Sequence, residues 1–329
     1  MQYDVLAIGD TAIDAFIKLS EATETCDTHG EHCQLCVRYA DKVPYEFAEV
    51  LAGVGNSANA AVACARLGLH SALRAYVGTD QYGEDCLAAF RMNGVATEFV
   101  ERIPSAKTNY HYVLWYGSER TILIKHEEYD YKLPALHDEP RWMYLSSLSS
   151  NSLSFHKELG AYLLEHPSIK LAFQPGTFQM KLNVEDIREI YQRSEIFFCN
   201  KEEAQRILKT QESDEKKLLE AVRALGPRIA VITDGRNGLS ASDGSTNFHI
   251  PIYPDPKPPY ERTGAGDATA STTVAYLAKG MPLDEALMRG LINSMSVVQE
   301  IGAQKGLLTA EKIEEWYAKR PAEFKASVL

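Results

Sequence analysis

The chain has 329 residues, 45% of them hydrophobic and 24% charged, which is enough to bury one large α/β core or two smaller ones. Its formal net charge of −11 argues against non-specific binding to nucleic acid or anionic membranes, yet leaves room for a local phosphate site built from backbone N–H groups. The start MQYDVLAIGD carries no basic flank or signal-length apolar stretch, and no uncharged run approaches the roughly 20 residues of a membrane span. The expected compartment is therefore the cytoplasm, where the six cysteines would remain thiols.

In chain order, residues 3–8 form a short apolar run ending at Gly9-Asp10 and read as a buried first strand. Residues 56–67 are alanine-rich and stop at Gly68, which predicts a helix. A strand over 71–77 and a helix over 84–92 follow. The segment 108–131 is rich in Tyr, Thr and Ile, with Gly117-Ser118 between two extended runs, and predicts an antiparallel hairpin separate from the main sheet. From 141 onward, apolar runs at 142–145, 170–173, 195–199 and 228–233 alternate with helical patterns at 155–165, 184–194 and 214–225. This rhythm predicts a mostly parallel sheet covered on both faces. Asp243-Gly244 marks a turn, and helices are expected over 265–278, 283–301 and 310–318.

The most informative string is Thr263-Gly264-Ala265-Gly266-Asp267, which runs directly into an apolar helix. Glycines allow a tight turn and close backbone approach, and a helix N-terminus presents unpaired N–H groups to an anion. Asp267 would repel a phosphate, but suits a general base that takes the proton of an attacking hydroxyl. A plain glycine turn followed by an N-terminal helix charge is the alternative. No G-x-x-x-x-G-K-[ST] is present, and the first strand is not followed by G-x-G-x-x-G, so P-loop and dinucleotide-binding readings are set aside.

Taken in order from Gly9 to Gly306, the chain resembles the ribokinase-like, PfkB-type family of carbohydrate and nucleoside kinases. The resemblance implies an α/β fold, a three-layer α/β/α sandwich with a mostly parallel central sheet and a small β-rich lid. It implies one kinase domain over 1–329, with lid segments near 11–50 and 96–131. Residues 263–267 are similar to the family's anion hole and catalytic aspartate. On that likeness Asp267 is the base, while the N–H groups of Gly264, Ala265 and Gly266 stabilise the transferring phosphoryl group. Gly53-Val54-Gly55-Asn56-Ser57-Ala58-Asn59 resembles the N-terminal signature, with Val54 where the first of two paired glycines is usual. Gly55, Asn56 and Asn59 would line the substrate site, and Asp14 would accept hydrogen bonds from its hydroxyls. Asn200-Lys201-Glu202-Glu203 matches an N-x-x-E motif in which Glu203 helps hold hydrated Mg²⁺; the same string also reads as a capping box. Thr233, Gly235 and Gly238 resemble the ATP loop, with Asn293 and Gly302-Ala303 near the adenine. Glu261 stands where some members bind a monovalent cation such as K⁺.

The stretch between Asp14 and Gly55 is 40 residues, longer than expected for the family, and within it Cys26, His29, His32, Cys33 and Cys36 fall inside 11 residues. Their spacing is suitable for four zinc ligands, the alternative being a polar lid loop with ordinary thiols. The acceptor is expected to be a sugar or sugar phosphate, with Arg120 or Lys125 available for a phosphate. The alternative is a nucleoside, with Tyr110, Tyr112 and Phe16 as platforms for the base. A non-catalytic sugar or nucleotide sensor is a third reading, disfavoured by the presence of Asp267 and Glu203. Relatives dimerise through the lid, which implies a homodimer. Neither nucleic acid nor membrane is expected as a partner. His126 and Glu127-Glu128 read as solvated, and Met288 and Met295 as packing residues.

Overall fold

Four consecutive buried residues, Val5–Ile8, form the strand from which the sheet grows in both directions. Such a run suits a parallel strand with both faces covered. One neighbour is Ser71–Gly78 and the other is Trp142–Leu145, both parallel to it. The computed structural model describes residues 2–27, 33–117 and 119–329. Within it, Val100–Ile103 extends the sheet beyond Ser71–Gly78. On the other side, Lys170–Phe173, Ser194–Asn200 and Ile229–Thr233 continue in parallel, followed by antiparallel Leu239–Ser242, Asn247–Ile250 and Ser327–Val328.

The ten-stranded sheet separates two apolar clusters, giving the expected three layers. On one face lie Asn56–Arg66, Ala265–Ala278, Leu283–Val297 and Ala310–Ala318. On the other lie Leu153–Glu165, Arg188–Arg193, Lys201–Leu208 and Glu215–Ala224. The region predicted as one helix over 184–194 divides into a 3₁₀ turn, Val184–Ile187, and Arg188–Arg193. The third-last helix, Ala265–Ala278, is buried almost all round, so its small Ala, Ser and Thr side chains set how closely its neighbours approach.

Because the chain moves from Val5–Ile8 to one side of the sheet and later returns to the other, the carboxyl end of this strand opens at a topological switch point. Open α/β sheets hold ligands in such crevices. Immediately after it, Ala12–Leu19 leaves the core and joins a separate four-stranded sheet, in the order Tyr45–Val54, Ala12–Leu19, Asn109–Tyr116, Glu119–Leu123. This is the lid. Its second segment begins at Asn109 rather than near 96, since Val100–Ile103 pairs with the main sheet. Residues beyond Leu123 return to the core, where Tyr129 and Tyr131 are buried.

A two-stranded hairpin, Thr23–Thr25 with Gln34–Cys36, branches from the lid. Its register pairs Thr25 with Gln34, so Cys26 and Cys33 are the next residues to face each other, and they are joined in a disulfide. This corrects the expectation that all cysteines are thiols. It also alters the proposed zinc set: Cys26 and Cys33 are spent on each other, Cys36 is free, and His29 and His32 lie outside the described residues.

Gly290 marks where Leu283–Val297 meets Ala265–Ala278, since a Cβ there would lie 2.6 Å from the Thr269 carbonyl oxygen and 2.7 Å from Thr273 Oγ1. Gly290→Ala is therefore expected to destabilise the protein by about 1–3 kcal/mol through overpacking, read as a lower urea midpoint with an unchanged m-value. An unchanged midpoint would show that the helix pair can separate without cost.

Candidate active site

Helix Ala265–Ala278 begins at Gly264, whose φ of 79° is left-handed and where a Cβ would meet the Cβ of Ala303 at 2.3 Å. Only glycine serves there, which explains the first glycine of the string. The turn places the N–H groups of the first helical residues at the mouth of a cavity of about 440 Å³. Gly264, Ala265, Gly266 and Asp267 all line it.

Asp267 is 8% exposed and sits in the first turn of this helix. Its Oδ1 accepts from Asn56 Nδ2 at 2.9 Å and Gln174 Nε2 at 3.1 Å, and its Oδ2 from Asn59 Nδ2 at 2.8 Å. The amides are fixed in turn. Gln304 Nε2 donates to Asn59 Oδ1 at 3.0 Å, and the Tyr144 hydroxyl donates to Gln174 Oε1. Burial pushes the Asp267 carboxyl up from the ordinary aspartate value; the hydrogen bonds from Asn59, Asn56 and Gln174, and the charge of Arg120, oppose that rise. A carboxylate with raised proton affinity, facing an open cavity beside helix N–H groups, is placed to take a proton from a hydroxyl next to an anion.

The cavity gathers most of the other expected residues. Asp14, Gly55, Asn56 and Asn59 line one end, and Asn200, Glu203 and Thr233 the other. Asn200 and Glu203 form a capping box, with Glu203 N–H donating to Asn200 Oδ1 at 2.8 Å and Asn200 N–H to Glu203 Oε2 at 2.9 Å. Burial raises the Glu203 carboxyl; the Asn200 N–H and Arg206 lower it, while Glu202 and Asp267 add to the rise. Such a carboxylate gains from a cation, so the position fits Mg²⁺.

A smaller cavity of about 150 Å³ adjoins the first, sharing Arg262 and Ala265, and is lined by Gly235, Tyr253, Leu291 and Met295 among others. Its apolar walls suit a flat heteroaromatic ring. Gly238, with φ 92°, supports the nearby turn from outside this cavity. Asn293 lines neither cavity: it is fully buried, donating to Thr272 Oγ1 at 2.7 Å and accepting from Leu308 N–H at 2.8 Å. It joins the two helices. Gly302-Ala303 lies against Glu261 and Gly264.

Glu261 has both oxygens engaged. Oε1 accepts from Gly302 N–H at 2.8 Å; Oε2 accepts from Thr263 N–H at 2.7 Å and from its hydroxyl at 2.5 Å, with Arg120 at 3.7 Å. This donor-filled setting does not fit a monovalent cation, and no such role is assigned to it. Of the expected base platforms, Phe16 is in the lid core and Tyr110 and Tyr112 pack with each other, Tyr110 also against Tyr82. Lys125 is outside, paired with Glu127.

The sequence reading missed Asp10, Gln174, His111 and His126, all of which line the large cavity. Asp10 is buried, accepting from the Tyr131 hydroxyl at 2.8 and 2.9 Å and facing His126 Nδ1 at 3.1 Å. Burial and then Asp10 raise the Tyr131 hydroxyl, which keeps it a donor. His126, expected to be solvated, is thus part of the site. The one available signal was Gly9-Asp10 at the end of the first strand.

A model of the pfkB family of carbohydrate kinases matches residues 28–310. The ribokinase of Bacillus subtilis is 29% identical over 266 residues, 79% of this chain and 86% of that protein. A cytidine kinase of Thermococcus kodakarensis is 35% identical over 116 residues, 35% of this chain and 41% of that one. The fold is similar to the crystal structure of a Methanocaldococcus jannaschii nucleoside kinase, with TM-score 0.75, 17% identity and coverage of 96% and 98% of the two chains. It is equally similar to Arabidopsis thaliana ribokinase complexed with ribose and ATP, with TM-score 0.76, 15% identity and coverage of 96% and 98%. No helix among the described residues is long and apolar enough to cross a membrane.

The Asp267 carboxyl is open to direct titration. Carbon-detected NMR is expected to give a midpoint above the ordinary aspartate value of about 3.9. Asn59→Ala, which removes the donor to Oδ2, is expected to raise it further, since a hydrogen bond to the charged carboxylate favours the ionised form. A lowered midpoint in the variant would contradict the assigned geometry.

Proposed function

The chain belongs to the PfkB family of carbohydrate kinases, ATP-dependent phosphotransferases, and from that premise we propose that it transfers the γ-phosphoryl group of ATP to a hydroxyl of a sugar or nucleoside with Asp267 as general base. The observation that carries this reading is the Asp267 carboxylate itself, buried yet facing the cavity beside the N-terminus of helix Ala265–Ala278.

The acceptor lies between lid and sheet, at the end lined by Asp14, Asn56 and Asn59. Asp267 takes the proton of its hydroxyl as that oxygen attacks the γ-phosphorus. The new O–P bond forms while the bond from γ-phosphorus to the bridging oxygen of the diphosphate breaks, and ADP leaves. Charge on the transferring group is met by the N–H groups of Gly264, Ala265 and Gly266 and by Arg120, which enters the cavity from the lid. Mg²⁺, held through Glu203 and water, would neutralise the phosphate oxygens. The adenine occupies the smaller cavity beside Gly235 and Met295. Closure of the four-stranded lid excludes water, which would otherwise compete as the nucleophile.

Release of ADP from Mg-ATP, followed across free sugars, sugar phosphates and nucleosides, tests this reading. Turnover is expected with one class, falling by about 10²–10⁴-fold in Asp267→Asn. Turnover preserved in that variant would remove Asp267 from the role of base.

A further inference from the structure

The hairpin that branches from the lid carries a second cluster of reactive side chains. Thr23–Thr25 pairs with Gln34–Cys36, and the Cys26–Cys33 disulfide lies just beyond the last paired residues. Side chains alternate between faces along a strand, so Glu24 shares the face of Cys26, while Cys36, three residues past Cys33, belongs to the other. Glu24 Oε1 lies 3.3 Å from Cys26 Sγ, and one carboxylate oxygen and both sulfurs all lie within 4.8 Å of one another. All three residues are exposed, whereas Cys64, Cys86 and Cys199 are buried.

This carboxylate does little for a disulfide. A disulfide sulfur has no hydrogen to donate, so Glu24 gains no hydrogen bond from Cys26 in that form. Once the bond is reduced and the thiols ionise, three anionic groups crowd one face and repel each other unless a cation binds between them. Two thiolates and a carboxylate form a donor set that zinc accepts at bond lengths of about 2.0–2.3 Å, which puts the ligand atoms of a tetrahedral ion about 3.5 Å apart. Rotation of these exposed side chains, with no change of register, brings the three groups to that spacing.

We propose that Glu24, Cys26 and Cys33 form a redox-gated zinc site, closed to the metal by the disulfide and opened by its reduction. A dithiol reductant supplies two electrons and two protons, the S–S bond breaks, and the reductant leaves as its own disulfide. Zn²⁺ then binds both sulfurs and the carboxylate, and the two thiol protons pass to solvent. Water takes the fourth position. In the reverse direction a small-molecule disulfide oxidises the two thiolates to Cys26–Cys33, takes up two protons as it becomes two thiols, and the zinc departs. The site follows from the hairpin register, which brings in Glu24 and leaves out Cys36. It is separate from the phosphoryl-transfer chemistry and does not rest on it. None of the three residues lines the large cavity, and the hairpin leaves strand Ala12–Leu19 at the end opposite Ala12 and Asp14, which do.

The test uses the full chain in two forms, one left oxidised and one reduced with dithiothreitol and desalted without oxygen. Each is exposed to Zn²⁺, freed of excess metal and weighed by native mass spectrometry. The reduced chain is expected to carry one zinc and the oxidised chain none. Competition with a chromophoric chelator is expected to show zinc affinity lower by at least about 10–100-fold in Cys26→Ser and Cys33→Ser, and by about tenfold in Glu24→Gln. Cys36→Ser is expected to bind as the wild type does. With Co²⁺ in place of zinc, thiolate-to-metal charge-transfer absorption is expected in the reduced wild type and in Cys36→Ser, and is expected to be lost when Cys26 and Cys33 are both replaced by serine. A reduced chain that takes up no zinc would make the disulfide a hairpin staple only and overturns the proposal. Equal uptake by the oxidised chain, uptake that survives the double replacement, loss in Cys36→Ser, or unchanged affinity in Glu24→Gln overturns it as well.

Discussion

The structure turns on one buried carboxylate. Taking an aspartate out of water is costly unless its charge is met by hydrogen bonds, and Asp267 receives them from three amides contributed by different parts of the chain. Asn56 and Asn59 come from the first helix, on the same face of the sheet, and Gln174 follows the strand Lys170–Phe173. The helix bearing Asp267 is therefore tied to both the first helix and the sheet. The same contacts set the proton affinity on which the proposed chemistry depends. Gln304 and Tyr144 extend it outward by fixing which end of each amide faces the carboxylate.

A second node lies at the switch point. Asp10 follows the central strand and accepts from Tyr131, which sits on the segment returning from the lid. His126, on the same segment, meets the other side of that carboxylate. The four-stranded sheet is thus fastened to the main sheet beside the part of the cavity lined by Asp10 and His126. The proposed nucleotide end is built instead from the Ile229–Thr233 strand and the Ala265–Ala278 helix.

Much of the fold was legible because its signals are local. The runs at 142–145 and 170–173 are strands of those same limits, and the apolar helix following Gly264 begins and ends as expected. The lining of the candidate site was legible where it is written as a contiguous string, as at residues 263–267, or as a short motif such as Asn200 to Glu203. It was not legible where tertiary pairing creates it. Nothing near His111 in the sequence announces Asp14, since only the parallel register of two distant strands joins them. Gln174 belongs to no motif and is brought to Asp267 only by the fold, and Asn293, expected near the adenine, closes a helix–helix contact. The Cys26–Cys33 pairing was hidden for the same reason: spacing alone suits a metal or a hairpin, and the register of Thr23–Thr25 with Gln34–Cys36 chooses the latter.

The central claim is that the amides around Asp267 act by tuning its proton affinity. Single-turnover phosphoryl transfer at saturating acceptor, compared between wild type and Asn59→Ala across pH, tests it most directly. Because removing the Asn59 donor raises the carboxyl further, the variant should be protonated at higher pH than the wild type. Its rate deficit should therefore be largest at low pH and shrink as pH rises through the shifted value. A deficit of constant size across the range would contradict the account and would make Asn59 a positioning group alone.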